Sequence, residues 1–176
     1  MGIPISFLGL FNDKDEFYDT KIVKNVNIAR HAMAIDEHRS YFEPTVWLLQ
    51  PNMDIQQVWF SGAHSNIGGS YKPDKDGTLL SDIPLTWMLK EAKKAGLALE
   101  SHLIEKLNPN PLATLHNSRR SFYRVKKKFN HPLDHMSGEI LIHQSVRERW
   151  ENNANYRPKY LQEYLKAYAW PTKLVS

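Results

Sequence analysis

The sequence contains no cysteine among its 176 residues. Disulfide bonds, thiolate nucleophiles and cysteine-based zinc sites are therefore excluded from any account of its function. No apolar run approaches the roughly 20 residues that a membrane span needs, and the apolar N-terminus lacks the basic region of a signal peptide. We therefore expect a soluble protein, either cytoplasmic or secreted without a signal peptide.

The sequence also has little excess charge. Its formal net charge is +4, with 24% charged and 41% hydrophobic residues, which is ordinary for a soluble globular protein. We expect no nucleic-acid partner, although the weak positive charge is compatible with peripheral contact at an anionic membrane. The length suits a single domain, residues 1–176, with a core of strand, histidine segment and helix in 1–100 and a helical, less regular part in 101–176.

Two segments have the pattern of β-strands. Residues 3–11 form an almost continuous apolar run, which is typical of a strand buried on both faces of a parallel sheet. Residues 55–61 form a second, shorter strand rich in apolar and aromatic side chains.

Three segments have helical spacing. Ile22, Val26, Ala29 and Met33 form one apolar stripe, which predicts a helix over residues 22–36. A second helix is expected to begin at Ser81 or Asp82, with Pro84 in its first turn and Gly96 as its C-cap. A third is expected over residues 99–107, before two prolines end it.

The second strand leads into the segment WFSGAHSNIGGSY, which contains His64 and three glycines within eight residues. Glycines at this density indicate positive φ angles or close backbone approach. A histidine in a loop at the end of a strand is well placed to act as a general base, although a structural histidine that caps a turn fits the pattern equally. The chain has no G-x-S-x-G nucleophile elbow, so residue patterns alone give only half of a hydrolytic site.

The run VWFSGAHSNIGGSY resembles the V-W-F-x-G-x-H-S-D-x-G-G-x-Y signature of a family of α/β-hydrolase-like proteins, the Tle1-like phospholipase effectors of type VI secretion. The family was first catalogued as a domain of unknown function. The resemblance extends to FLGLFN, ARHAMAIDEHRSYFEPT, LSDIPLTWMLKEAKKAGL and IHQSVRERW…YRPKYL. It therefore covers residues 3 to about 165, nearly the whole chain.

The resemblance implies the C-terminal part of an α/β-hydrolase fold, with strands of a mostly parallel sheet, flanking helices and a helical or irregular tail. It also implies a serine, acid and histidine triad in that chain order, with His64 as the base and the serine upstream of residue 1. Asn12 stands where the family has its acid, and Asp13 or Asp15 could replace it through a shifted loop. Asn66 replaces the aspartate that usually follows the histidine–serine pair.

Residues expected to support the base lie in the same segment or near it; they are Gly62, Ser65, Asn66, Gly68, Gly69 and Asp82. Asp36, Glu37, His38 and Arg39 should form local ion pairs and a loop anchor, or Arg39 should brace the loops of the site.

Two weaker patterns lie further along the chain. His131, Asp134 and His135 have metal-ligand types, but Pro132 separates them, so we expect no metal site and no cofactor. The run Lys126–Lys128 with aromatic neighbours suits a solvated edge better than a phosphate or lipid contact.

The sequence favours a serine esterase or phospholipase domain, with a lipid or ester substrate, that is inactive or impaired alone because it lacks the serine elbow and its expected acid is Asn12. Two alternatives stay open. One is half of a two-chain hydrolase whose upstream partner supplies the serine, and the other is a non-catalytic binding module with the hydrolase fold. A sheet that lacks its upstream strands would leave an apolar edge, which favours a homo-oligomer or pairing with another chain.

Overall fold

The computed structural model of the chain describes residues 21–118, 133, 140–171 and 174–176. The strands are β1 (Ile28–Ala34), β2 (Asp54–Phe60) and β3 (Leu141–Ile142), and a short 3-10 turn spans Ser40–Phe42. The helices are α1 (His64–Ile67), α2 (Asp82–Lys94), α3 (Ser101–Ile104), α4 (Gln144–Asn152) and α5 (Lys159–Tyr168). The strand predicted over residues 3–11 lies outside the described residues.

The three strands form one parallel sheet in the order β1-β2-β3. β1 and β2 pair along their whole length, from Ile28 opposite Asp54 to Ala34 opposite Phe60. Val58 and Trp59 of β2 pair with the two residues of β3. Parallel strands with helices between and beside them define an α/β architecture.

The core lies on both faces of the sheet, because successive side chains of β2 point in opposite directions. Trp59 packs into one cluster with Met33, Ile142, Val146 and Leu161. Val58 and Phe60 pack into the other cluster, which contains Leu80, Ile83 and Trp87. Trp87 is therefore a core residue, and helix α2 covers one face of the sheet.

The helix predicted over residues 22–36 is wrong, because residues 28–34 form strand β1. The segment contains three alanines, which favour a helix locally, and its apolar spacing agrees with a helical stripe. Seven residues of parallel pairing with β2 outweigh that local preference. Arg30 fixes the strand further through ion pairs with Asp54, at 2.6 Å, and Glu91 of α2, at 2.7 Å.

The helix predicted from Ser81 or Asp82 to Gly96 is confirmed as α2. Ser81 holds the N-cap position, but its side chain makes no capping hydrogen bond. At the other end Gly96 has φ +95°, its N–H donates to the carbonyl of Lys93, and the N–H of Leu97 donates to that of Ala92. This is the Schellman arrangement, in which glycine takes the left-handed position after the cap.

The helix predicted over residues 99–107 is reduced to the single turn α3, Ser101–Ile104. In the part of the chain that the structure describes, no helix is both long enough and apolar enough to cross a membrane.

Candidate functional site

The predicted loop around His64 is one turn of helix, α1, which begins at His64 itself and follows β2 after three residues. The turn out of the strand occurs at Gly62, whose φ is +124°. A side chain there would collide with Asn66, because a Cβ would lie 2.5 Å from the Asn66 Cβ. The imidazole of His64 is exposed and contacts the ring of Phe42 at a centroid distance of 5.0 Å. Within the described residues it makes no hydrogen bond.

A buried carboxylate, Glu37, holds the backbone of His64 in place. Its side chain is 1% exposed, and its Oε2 accepts the His64 N–H at 3.2 Å. Arg39 pairs with both carboxylate oxygens, at 2.9 and 2.8 Å, and its guanidinium lies 3.8 Å from the centre of the Phe42 ring. The expected ion pair of this cluster is therefore present, and it connects to the backbone of the histidine.

The charge of Glu37 is strongly stabilised. Burial alone would raise the pKa of Glu37, but the Arg39 side chain and the backbone N–H groups of Arg39 and His64 lower that pKa to about 2. Glu37 is therefore ionised at neutral pH and acts as an acceptor for several donors at once.

A second carboxylate, Asp36, fixes the turn before His64. Its Oδ2 accepts the N–H of Gly62 at 2.7 Å and the hydroxyl of Tyr156 at 3.0 Å. Burial and the nearby charge of Asp36 raise the pKa of Tyr156 well above its ordinary value, so the phenol is a permanent donor. Asp36 and Glu37, which follow β1, thus fix the two ends of the turn. Asp36 accepts the N–H of Gly62, and Glu37 accepts that of His64.

Replacing Tyr156 by phenylalanine is expected to lower the free energy of unfolding by about 1.5–3 kcal/mol, because a buried hydrogen bond to a carboxylate is lost. Urea denaturation of the chain measures the change. Tyr160→Phe is the matched control, since its hydroxyl makes no hydrogen bond in the described part of the chain. Equal stabilities for the two variants would contradict this account of Asp36.

Asn66, which replaces an expected aspartate, uses both ends of its amide. Its oxygen accepts the N–H groups of Ala63 and His116, each at 3.3 Å. Its Nδ2 donates to the carbonyl of Thr114 at 3.3 Å. An aspartate could accept the first two bonds but could not donate the third, so the amide has a structural use at this position.

A cavity of about 370 Å³ opens beside His64. Its walls come from β1, from the last residue of the 3-10 turn and the segment that follows it, and from α1. Most of the lining is apolar, as is typical of ligand sites, and the polar groups that share it are His31, Glu43 and His64. Gly68, which ends α1, also lines the cavity.

Sequence reasoning did not identify His31 as a cavity residue, because it had placed that residue in a helix. Burial lowers the pKa of His31, although a contact with Gln57 Oε1, 3.5 Å from its Nδ1, acts in the opposite direction. Gln57 is fixed by two bonds to the backbone of Trp47, at 2.7 and 2.9 Å, and the Trp47 ring lies 4.8 Å from that of His31. Only the pairing of β1 with β2 brings these residues together.

The other predicted site residues are placed as follows. Ser65 is half-buried in α1, and Gly69 has φ +84° with open space around it. Asp82 is buried at the start of α2, where its carboxylate accepts the N–H of Asn108 at 2.8 Å. In the described part of the chain it forms no hydrogen bond with His64.

The remaining candidates lie outside the residues that the structure describes. They are Asn12, Asp13 and Asp15 near the N-terminus, and Lys126–Lys128, His131, Asp134 and His135 further along. Within the described ranges no three histidine or acidic side chains are grouped so that they could hold a metal ion.

Comparison with known proteins defines the class. The sequence pattern of the catalytic domain of Tle1-like phospholipase effectors of type VI secretion matches residues 1–91, which include β1, β2, α1 and His64. The chain belongs to this Tle1-like family.

A curated relative is the uncharacterized protein YEL023C of Saccharomyces cerevisiae, which is 35% identical over 71 residues. The aligned part is 40% of this chain and 10% of the yeast protein, so the chain spans about a tenth of that relative's length. No solved structure matches the chain.

Proposed function

We propose that this chain carries the histidine side of a serine-hydrolase site that acts on lipid esters, within an α/β-hydrolase fold. The observation that carries the proposal is the position of His64, which is exposed beside an apolar cavity at the carboxyl end of a parallel strand. Ligands of open α/β sheets bind at that end of the strands. The family match to a catalytic domain supports the choice of chemistry.

In this mechanism His64 takes the proton of a serine hydroxyl as it attacks the ester carbonyl, and later returns a proton to the leaving alcohol. No G-x-S-x-G elbow occurs in the 176 residues, so the serine comes from outside them, on another chain or another segment. Among the described residues β1 pairs with β2 alone, which leaves its outer edge for the strands that carry that serine.

The backbone anchors of the site suit this role. Because Glu37 and Asp36 bind main-chain N–H groups, they hold the position of His64 without engaging its imidazole. Both ring nitrogens therefore stay free, within the described residues, for a serine on one side and an orienting group on the other. The wall residues Met33, Phe42 and Ile67 give an acyl chain an apolar surface.

The test is reconstitution. We would fuse the serine-bearing upstream half of a Tle1-like catalytic domain to this chain and measure fatty-acid release from phospholipid vesicles. The fusion should hydrolyse ester and the unfused chain should not. His64→Ala should lower kcat of the fusion by about 10³-fold or more, because the substitution removes the base of the triad.

His102→Ala is the matched control, because His102 is exposed on α3 and lies outside the cavity. It should leave the rate unchanged. Ester hydrolysis that survives His64→Ala, in the fusion or in the chain alone, would contradict the proposal.

A non-catalytic binding module is the second candidate. The observation that favours it is the hydrogen bond from the Asn66 amide N–H to the carbonyl of Thr114. The aspartate expected at this position from the resemblance has no such donor. In that case the fusion would bind lipid vesicles through the same cavity without releasing fatty acid, and His64→Ala would leave the binding unchanged.

A further inference from the structure

A second cavity, of about 210 Å³, lies between α2, the segment around Pro109 and Pro111, and the start of α4. Among the residues that the structure describes, it shares no lining residue with the cavity beside His64. Several hydrogen-bond donors line it, and none of them was singled out by the sequence as a ligand group. Three of these donors are the side-chain N–H groups of Trp87, Lys90 and His143.

Trp87 contributes a buried donor that has no partner. The residue is 1% exposed, and its Nε1–H makes no hydrogen bond within the part of the chain that the structure describes. Buried polar groups are nearly always paired, because an unpaired one costs about 1–3 kcal/mol. Trp87 also lines the cavity, so an acceptor bound there would lie beside a donor that lacks one.

His143 contributes a second donor, and its tautomer follows from its neighbour. The backbone N–H of Ser145 donates to His143 Nδ1 at 3.2 Å, so Nδ1 carries no proton and the neutral ring has its proton on Nε2. Burial, and then the charge of Lys90, lower the pKa of His143 to about 4, so the ring is neutral at pH 7. Within the described residues Nε2–H has no partner.

The geometry around His143 keeps that donor in place. Its ring stacks on Phe60 with centroids 4.7 Å apart, and the hydroxyl of Ser145 lies 2.8 Å from Nδ1. Phe60 also contacts the ring of Trp87, at a centroid distance of 5.5 Å. One buried aromatic side chain thus supports both donors.

Charged groups also line the cavity. Two are side chains, and the third is the terminal carboxylate that Ser176 carries in the 176-residue chain. Lys90 is exposed on α2 and supplies a positive charge, whereas Glu148 is exposed on α4 and supplies a negative one. Two neutral N–H donors and an ammonium group match the several acceptor oxygens of a single oxyanion. Glu148 and the Ser176 carboxylate both oppose an anion, so removal of the Glu148 charge should strengthen anion binding.

We propose that this second cavity binds a phosphate group through the indole N–H of Trp87, the imidazole N–H of His143 and the ammonium group of Lys90. The phosphate is either free in solution or the headgroup of a lipid monoester such as phosphatidic acid. The site is independent of the proposed hydrolase chemistry, because no described residue lines both this cavity and that of His64.

The first experiment titrates the purified 176-residue chain with inorganic phosphate and follows the indole and backbone N–H signals by NMR. The Trp87 indole signal should shift saturably. Trp87→Phe and Lys90→Gln should each weaken phosphate binding about tenfold or more, because each removes a donor to a charged group. Glu148→Gln should strengthen binding about threefold, since it removes a repulsive charge.

Each variant has a matched control elsewhere on the chain. Trp150→Phe, Lys93→Gln and Glu105→Gln change the same residue types outside the cavity and should leave the affinity unchanged. If Trp87→Phe alters the fold, the Lys90→Gln and Glu148→Gln pair still decides the matter, because both residues are exposed and their effects should have opposite signs.

The second experiment distinguishes the source of the phosphate. Flotation with phosphatidylcholine vesicles that contain phosphatidic acid should retain the chain if the group is a lipid headgroup, and Lys90→Gln should reduce that retention. Saturable phosphate binding without flotation supports the soluble ligand, and flotation that depends on Lys90 supports the lipid. Binding that is absent in both assays, or equal in wild type, Trp87→Phe and Lys90→Gln, would overturn the proposal.

Discussion

Gly62→Ala is expected to lower the free energy of unfolding by about 2–6 kcal/mol, because backbone strain and crowding both contribute. A non-glycine residue at φ +124° is strained by about 1–3 kcal/mol, and its Cβ would lie 2.5 Å from the Cβ of the buried Asn66. Crowding of a packed interior by one methyl group typically costs a further 1–3 kcal/mol.

Two neighbouring glycines form a graded set of controls for that measurement. Gly69 has φ +84°, but a Cβ there would meet nothing within 4 Å, so Gly69→Ala should show the backbone strain alone. Gly68 has φ −85°, and its nearest contact would be an ordinary 3.6 Å, so Gly68→Ala should be close to neutral. Urea denaturation should rank the losses as Gly62, then Gly69, then Gly68. A loss at Gly62 no larger than that at Gly68 would contradict the packing of the turn.

Glu37→Gln is the second substitution with a large expected effect. The amide would set its NH₂ group against the N–H donors that the carboxylate now accepts, and it would remove the negative charge with which Arg39 pairs. Removal of one partner from a buried ion pair typically costs about 3–5 kcal/mol. Denaturant unfolding at pH 7 should show that loss, whereas Glu105→Gln, at an exposed position with no ion pair in the described residues, should leave stability unchanged.

The same residue should make the wild type sensitive to acid. The pKa of Glu37 is about 2 in the folded protein and about 4.5 in the unfolded chain, so its stabilisation is complete above pH 4.5 and is lost as the pH falls toward 2. At about 1.36 kcal/mol per pKa unit the amount is about 3 kcal/mol. Glu37→Gln should lack this part of the pH dependence. A variant that loses stability in acid as steeply as the wild type would show that Glu37 is not the group responsible.

The family and the turn before His64 could be predicted from sequence because both rest on local patterns. The His64 segment is one continuous motif, and its glycines favour a turn in any fold that contains it. The same holds for α2, whose apolar spacing and final Gly96 specify a helix and its end within a few residues. Short-range rules act on neighbours in the chain, so a single sequence is sufficient to apply them.

β1 shows where such rules fail. The spacing of Ile22, Val26, Ala29 and Met33 agreed with a helix, yet Ala29 and Met33 lie in a strand that pairs with β2 about 26 residues further along. That error also concealed His31 as a cavity residue and placed Asp36 and Glu37 at the end of a helix rather than just after a strand. Partners that are distant in sequence decided the conformation of this segment.

By itself the sequence determined the Tle1-like class, the histidine with its glycine-rich turn, and the absence of a serine elbow from these residues. Tertiary structure alone decided which carboxylates hold that turn, because Glu37 reaches His64 and Asp36 reaches Gly62 and Tyr156 only across the folded sheet. It also brought Trp87, Lys90 and His143 onto one cavity, although His143 lies more than 50 residues beyond the other two. The physical reason is that burial and hydrogen-bond pairing depend on proximity in space, which local sequence patterns do not encode.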